Sequence, residues 1–332
     1  MHYRAKQRLF WTGTVPLFVL MGGAIMSGGS SWADAPTAAP ADTAAADNAA
    51  TDTPAEDATE AIKPEDFPQG LLFPYYLLDA ALNKRVDTNG TVDYAALKGN
   101  KYLDLFIKAV ATADLSQFPS IDAKEETTDP KTGKTVTKIV KDRSAELTFW
   151  INAYNAHVLK ALSDAFPVSS PDAIPDFYTA KTRRVAGKDW SLADLHRDIV
   201  KRDPRAFFAL IDGTRSGPMA PIGAYKYRNL DQTLDEAAMA FVSDPRNVQL
   251  LRIEDTVTLN PLFAQVNTLF QPAATRGKFE GIKRVLAAYT QRKPERNYYA
   301  TNDFKVQWKR PDRSLNKLES QGPITGPGIS GP

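Results

Sequence analysis

Residues 144–166 read SAELTFWINAYNAHVLKALSDAF. This stretch decides the fold. Apolar residues occupy nearly every face of a 3.6-residue period, so the sequence predicts a helix buried on all sides, ended by Pro167. A helix of that kind needs other elements around it. Upstream, residues 71–84 and 100–112 read as helices, with Asp87-Thr-Asn-Gly90 as a turn between them. Residues 119–142 read as an inserted hairpin, with a polar turn at Asp129–Gly133 and alternating, β-branched Thr135–Val140. Downstream come a short strand at Arg183–Lys188, a helix opening at its N-cap Ser191, and a continuous apolar run Arg205–Ile211 short enough for a buried strand. A helix at 229–243, a strand at Leu250–Leu259, a helix at 277–290 and a final segment at 303–318 complete the pattern. The expected class is α+β: a predominantly helical single domain around a buried central helix, with a small β-sheet, spanning residues 62–319.

The flanks differ in composition. Arg4, Lys6 and Arg8 precede an uncharged apolar run at 9–27, and Gly28–Ala33 offers the small residues a signal peptidase reads. Residues 1–33 are therefore expected to be a cleaved signal peptide, the alternative being an uncleaved membrane anchor. Residues 34–61 carry seven acids, no base and no large apolar side chain. They are expected to be a disordered Ala/Asp/Thr/Pro linker. The Gly/Pro-rich residues 320–332 are expected to be a disordered tail. The signal implies export to the periplasm or cell surface.

The 332 residues include no cysteine, which excludes disulfides, thiolate metal sites and a cysteine nucleophile. A net charge of +2 argues against nucleic acid as a partner. Setting aside residues 1–33 (three bases) and the seven linker acids leaves 38 bases against 32 acids, or +6, for residues 62–332. Contact with a membrane is expected only through an uncleaved signal or this weakly basic surface.

Five ordered segments resemble the DUF547 family, a domain of unknown function. They are Gly90-Thr-Val-Asp-Tyr94, Phe149-Trp-Ile-Asn-Ala-Tyr-Asn155, Trp190-Ser-Leu192, Asp203-Pro-Arg205 with Phe208-Ala-Leu210, and Asp312-Arg-Ser-Leu-Asn316. The resemblance also implies a His, an Asn, two Cys and a Glu that this chain lacks. Phe207 stands at the His position, Ile211 at the Asn, Asp212 and Gly217 at the two Cys, and His196 at the Glu. Whatever chemistry the family performs with a thiol, this chain has no thiol to perform it.

The candidate pocket residues are Trp150, Asn152, Tyr154, Asn155, His196, Arg205, Asp212 and Ser216. Asn152 and Asn155 lie three apart on one helix face. They could form the polar floor of a pocket, or bind the backbone of a neighbouring segment and fix its register, the commoner fate of buried amides. His196, Asp212 and Ser216 are the residue types of a triad, without the G-x-S-x-G pattern of a nucleophile elbow. Neither histidine, His157 or His196, stands in a metal-ligand spacing, so no metal and no cofactor is expected. Arg205 and Asp312 suit ion pairs closing the fold, and Lys305, Lys309, Arg310, Arg313 and Lys317 form a basic cluster. The favoured reading is a non-catalytic binding or structural protein of the envelope, its partner an unknown small molecule or envelope protein. The competing reading is a hydrolase-like enzyme with an altered site.

Overall fold

The computed structural model describes residues 73–128, 135–272 and 277–319. The expected signal peptide, linker, tail and hairpin turn lie outside those residues.

Helix α4 (Ser144–Ala165) occupies the centre, and Ala145 and the whole run Leu147–Leu159 are buried, polar residues included. Around it pack α2 (Tyr94–Leu97), α3 (Lys101–Ala111) and α5 (Leu192–Arg202), and α1 (Tyr75–Leu82) packs on α3. The caps follow the sequence. Asn100 accepts the N–H groups of Tyr102 and Leu103, and Ser191 accepts that of Asp194, satisfying amides a helix start leaves free. Phe149 is the aromatic centre of this half, with Phe73, Phe118 and Trp150 at ring-centroid distances of 5.1–5.4 Å.

The C-terminal half contains α6 (Leu230–Ser243), α7 (Phe263–Phe270), α8 (Glu280–Tyr289), α9 (Lys293–Thr301) and a three-stranded sheet. In that sheet β5 (Val248–Leu251) pairs antiparallel with β6 (Thr256–Leu259), and β6 pairs parallel with β7 (Lys305–Trp308). Two further hairpins stand apart from it. They are β1 (Ile121–Thr128) with β2 (Thr135–Asp142), and β3 (Arg183–Val185) with β4 (Lys188–Trp190). One hydrophobic core runs through both halves. The fold is the mostly helical α+β domain that the patterning predicts.

Four expectations need correction. The run expected as a strand at Arg205–Ile211 is instead a 3₁₀-helix over Pro204–Ala209. The Asp203 carboxylate accepts the Arg205 N–H at 2.9 Å, and Pro204 sets the first turn, so local capping wins over β-propensity. Burial was legible there; the period was not. The strand expected at Leu250–Leu259 is a hairpin, broken by a single turn at Arg252–Glu254 and by Asp255 at φ 45°. Arg183–Lys188 is likewise a hairpin, turning through Ala186 and Gly187. The helix expected at 277–290 begins at Glu280, and α9, which was not anticipated, follows it. Helices α2 and α7 were not anticipated either.

The closing segment returns to the start of the domain. Asn316 donates its backbone N–H to Gly213 and its side-chain amide to Gly90, and accepts the Tyr94 hydroxyl and the Val92 N–H. Gly90 has φ +72°, and a Cβ there would lie 2.8 Å from Ala220 N, so only glycine fits.

Replacing Phe149 by Ala is expected to cost about 3–5 kcal/mol, the range for a fully buried Phe. Urea denaturation followed by far-UV circular dichroism measures it. A loss under about 1 kcal/mol would mean this aromatic cluster is not the packing centre.

Candidate functional site

The two asparagines of α4 each grip backbone through both halves of the amide. Asn152 Nδ2 donates to Tyr225 O at 3.0 Å and its Oδ1 accepts Tyr225 N–H at 2.9 Å. Asn155 Nδ2 donates to Ala209 O at 2.9 Å and its Oδ1 accepts Ile211 N–H at 3.1 Å. Each amide therefore behaves like one more residue of a β-ladder, satisfying buried groups that would each cost about 1–3 kcal/mol unpaired.

The segments held in this way form the walls of a groove. Its volume is about 300 Å³, the lower end for small-ligand sites. Phe208, the residue before the Asn155 partner Ala209, lines the groove. The loop Met219–Lys226 forms one side, and Thr233, Glu236, Ala237 and Ala240 of α6 form the other. Asp87 and Thr88 stand at the rim. The loop is pinned at three places besides Asn152. The Asp79 carboxylate accepts Ala224 N–H at 2.8 Å and pairs with Lys226 Nζ at 2.5 Å, and Gly90 presses on Met219 and Ala220. Small side chains (Ala220, Ala224, Ala237, Ala240) leave the space open. Ile222, 58% exposed, stands at its mouth.

None of the eight residues singled out from sequence lines this groove, although two of them position its walls. Trp150 donates Nε1–H to Glu146 at 3.2 Å and packs on Trp190 at 5.6 Å. Tyr154 is buried against His196, and His196 packs in turn on Phe207, ring centroids 6.0 and 5.7 Å apart. Arg205 binds three carboxylates, Asp203 at 2.6 Å, Asp231 at 2.7 Å and Asp235 at 3.2 Å. Asp312 is not among its partners; it caps the turn at Ser314. Ser216 Oγ accepts the Asp312 N–H at 2.7 Å. Asp212 accepts both Thr214 N–H at 2.8 Å and Thr214 Oγ1–H at 2.9 Å, with Arg313 Nη1 at 3.6 Å.

These contacts determine the chemistry available. Among the described residues no hydrogen bond joins His196 to Asp212 or Ser216, so the three do not form a relay. Burial raises the Asp212 carboxyl pKa, against the lowering effect of Thr214 and of the Arg313 cation. Gly217 lies so close that a Cβ there would overlap the Asp212 carboxylate. That carboxylate is enclosed. Burial also lowers His157 and His196 to about 4, so both rings are neutral at pH 7. The His157 Nε2 lies 3.3 Å from Arg184 O. No group of three or more His, Asp or Glu side chains among the described residues is placed to share a metal ion.

The sequence signal for the groove was indirect. Two buried amides three residues apart require two backbone partners. The Pro- and Gly-punctuated apolar loop Gly217–Tyr225 was the unassigned segment able to supply one.

A histidine held neutral in the fold but free to protonate when unfolded makes stability depend on pH. Between about 4 and 6.5 the unfolded state binds more protons, so stability should be complete above 6.5 and fall as pH drops toward 4. Asp212, whose folded pKa is raised, acts in the opposite direction: its contribution falls as pH rises through its folded pKa. Chemical denaturation midpoints from pH 4 to 8 test this, and the His157→Gln, His196→Gln pair should flatten the histidine part. An unchanged slope in that pair would assign the pH dependence elsewhere. Asn152→Ala should lose about 1–3 kcal/mol and speed hydrogen exchange at the Tyr225 amide, with Ile211 protected as before.

Residues 140–242, from the end of β2 through α6, match the family model DUF547, described as a protein of unknown function. No curated protein and no solved structure matches the chain. The matched stretch includes both asparagines, the groove loop and the α6 wall.

Proposed function

We propose that this DUF547 chain is a non-catalytic binding protein of the periplasm or cell surface, whose ligand sits in the groove between loop Met219–Lys226 and α6. The observation that carries the reading is the construction of the groove. Two buried amides, the Asp79 carboxylate and a positive-φ glycine all fix its walls, and its interior is left to alanines and Phe208. Rigid walls around small side chains favour a ligand that fills space over one that reacts. Polar groups at the rim (Asp87, Thr88, Asn229, Thr233, Glu236) suit an amphipathic molecule or a short apolar peptide segment with a polar end. The basic n-region, apolar run and small-residue stretch of residues 1–33 support export.

The hydrolase-like alternative would rest on Asp212, a carboxyl with raised pKa near Tyr94, Tyr154 and Tyr178. Its oxygens are already engaged by Thr214 and Arg313, which favours a structural role.

Ala237→Trp should fill the groove with little change in melting temperature. Aromatic fragments detected on the wild type by ligand-observed NMR should lose about tenfold or more in affinity. Equal fragment binding by the filled variant would remove the groove from consideration. Turnover of nitrophenyl esters by the wild type, abolished in Asp212→Asn, would replace the binding reading by the enzymatic one.

A further inference from the structure

The positive charge of the folded part is concentrated at one end of the sequence. Residues 62–276 carry 27 bases and 27 acids, whereas residues 277–319 carry 11 bases and 5 acids. The whole excess of +6 therefore belongs to α8, α9, β7 and the closing segment. Within that stretch β7 is an edge strand, bonded to β6 on one side. Lys305, Gln307, Trp308 and Arg310 are exposed along it. Trp308 is 46% exposed and leans on Phe279 at 6.4 Å, and the Lys278 ammonium lies 5.4 Å from the Phe279 ring centre. Lys278, Lys305, Lys309 and Arg310 form no ion pair among the described residues; the Lys309 ammonium donates to Pro245 O instead. At the other end of the sheet the β5–β6 turn presents Ile253, fully exposed, beside Arg252. Lys305 is adjacent, its N–H bonded to Asp255 O at 2.8 Å.

We propose that this sheet edge is a docking surface for an anionic lipid bilayer. The inference is independent of the groove. Two large apolar side chains, Trp308 and Ile253, reach into water; Lys278, Lys305, Lys309 and Arg310 lie along the Trp308 edge without ion pairs among the described residues, while Ile253 has Arg252 on one side and the acids Glu254 and Asp255 on the other. A bilayer uses both features at once: headgroup phosphates attract the cations, and the interface takes up the indole and the isobutyl-sized Ile side chain. An acidic soluble polymer would use the cations and leave Trp308 and Ile253 in water. Lysines on edge strands also discourage pairing between sheets, but that role asks nothing of Trp308 or Ile253.

The absence of cysteine makes the test site-specific. In the full chain, Gln307→Cys accepts a single environment-sensitive fluorophore on β7, and Lys201→Cys gives a reference label on α5. Each is titrated with vesicles of phosphatidylglycerol and phosphatidylethanolamine, and with vesicles of phosphatidylcholine. The label at position 307 should shift to the blue on the anionic vesicles only, and the label at 201 on neither. Adding Lys305→Glu with Arg310→Glu should weaken that response roughly a hundredfold. Trp308→Ser should weaken it while leaving its salt dependence in place. A shift of equal size on neutral vesicles, an equal shift at 201, or indifference to the charge reversal would each overturn the proposal. So would a chain that sediments with vesicles while the 307 label stays in water, since the attachment would then lie elsewhere. A 307 shift produced by a synthetic peptide of residues 34–61, with none from vesicles, would make the chain's own acidic segment the occupant and overturn the lipid assignment.

Discussion

A buried primary amide has a donor and an acceptor to satisfy, and the inside of a helix cluster has no water to do it. Asn152 and Asn155 impose that constraint on the centre of this domain. The solution is to bring two separate stretches of main chain, around Tyr225 and around Ala209–Ile211, within hydrogen-bond reach of one helix face. Once those stretches are fixed, Phe208 and the loop before α6 have their places, and a groove lies between loop and helix. An apolar pair at the same positions would pack, but it would not specify which backbone atoms lie opposite. The amides supply the register and the surrounding core supplies most of the stability.

The charged residues follow a similar logic. Arg205 sits where the 3₁₀-helix meets α6, and its guanidinium reaches Asp203, Asp231 and Asp235. A planar fork suits several carboxylates at once in a way that a lysine would not. Arg313 does comparable work at the other side, bonding Asp172 and approaching Asp212. Apart from the Asp203 contact these pairs join segments distant in sequence, and several of the partners are well exposed, so they fix geometry more than they add net stability.

How much of this could be read from the sequence depends on the range of the interaction responsible. The central helix was legible because 22 residues repeat one pattern, and its end because Pro167 follows. Caps at Asn100 and Ser191 were local and so readable in principle. The run Arg205–Ile211 shows its burial in its composition but not its 3₁₀ conformation, since a short apolar run has no period to distinguish a strand from a tight helix. The sequence of the hairpin over Val248–Leu259 reads as one strand because its turn, Arg252–Glu254, contains neither Gly nor Pro, and Asp255 adopts the left-handed conformation itself. The groove was missed for a different reason. Its lining comes from alanines, a Phe and a loop, and its shape is set by partners some 50 to 150 residues away, as with Asn152 and Tyr225 or Asp79 and Ala224. The asparagines were singled out as pocket floor or register clamp; the hydrogen bonds show them holding backbone, with the groove bounded by what they hold.

The knot around Asn316 bears on the order in which the chain can complete itself. Its amide bonds Gly90, 226 positions earlier, and its main chain joins both Val92 and Gly213. A ribosome delivers Gly90 long before Asn316, so during synthesis the first turn of the domain and the wall it presses against lack their fastening. The helical centre can collapse on local contacts, but the rim of the groove closes only when the last element arrives, a late closure across nearly the whole length of the fold. Until Asn316 is made, the emerging chain carries an unfinished groove.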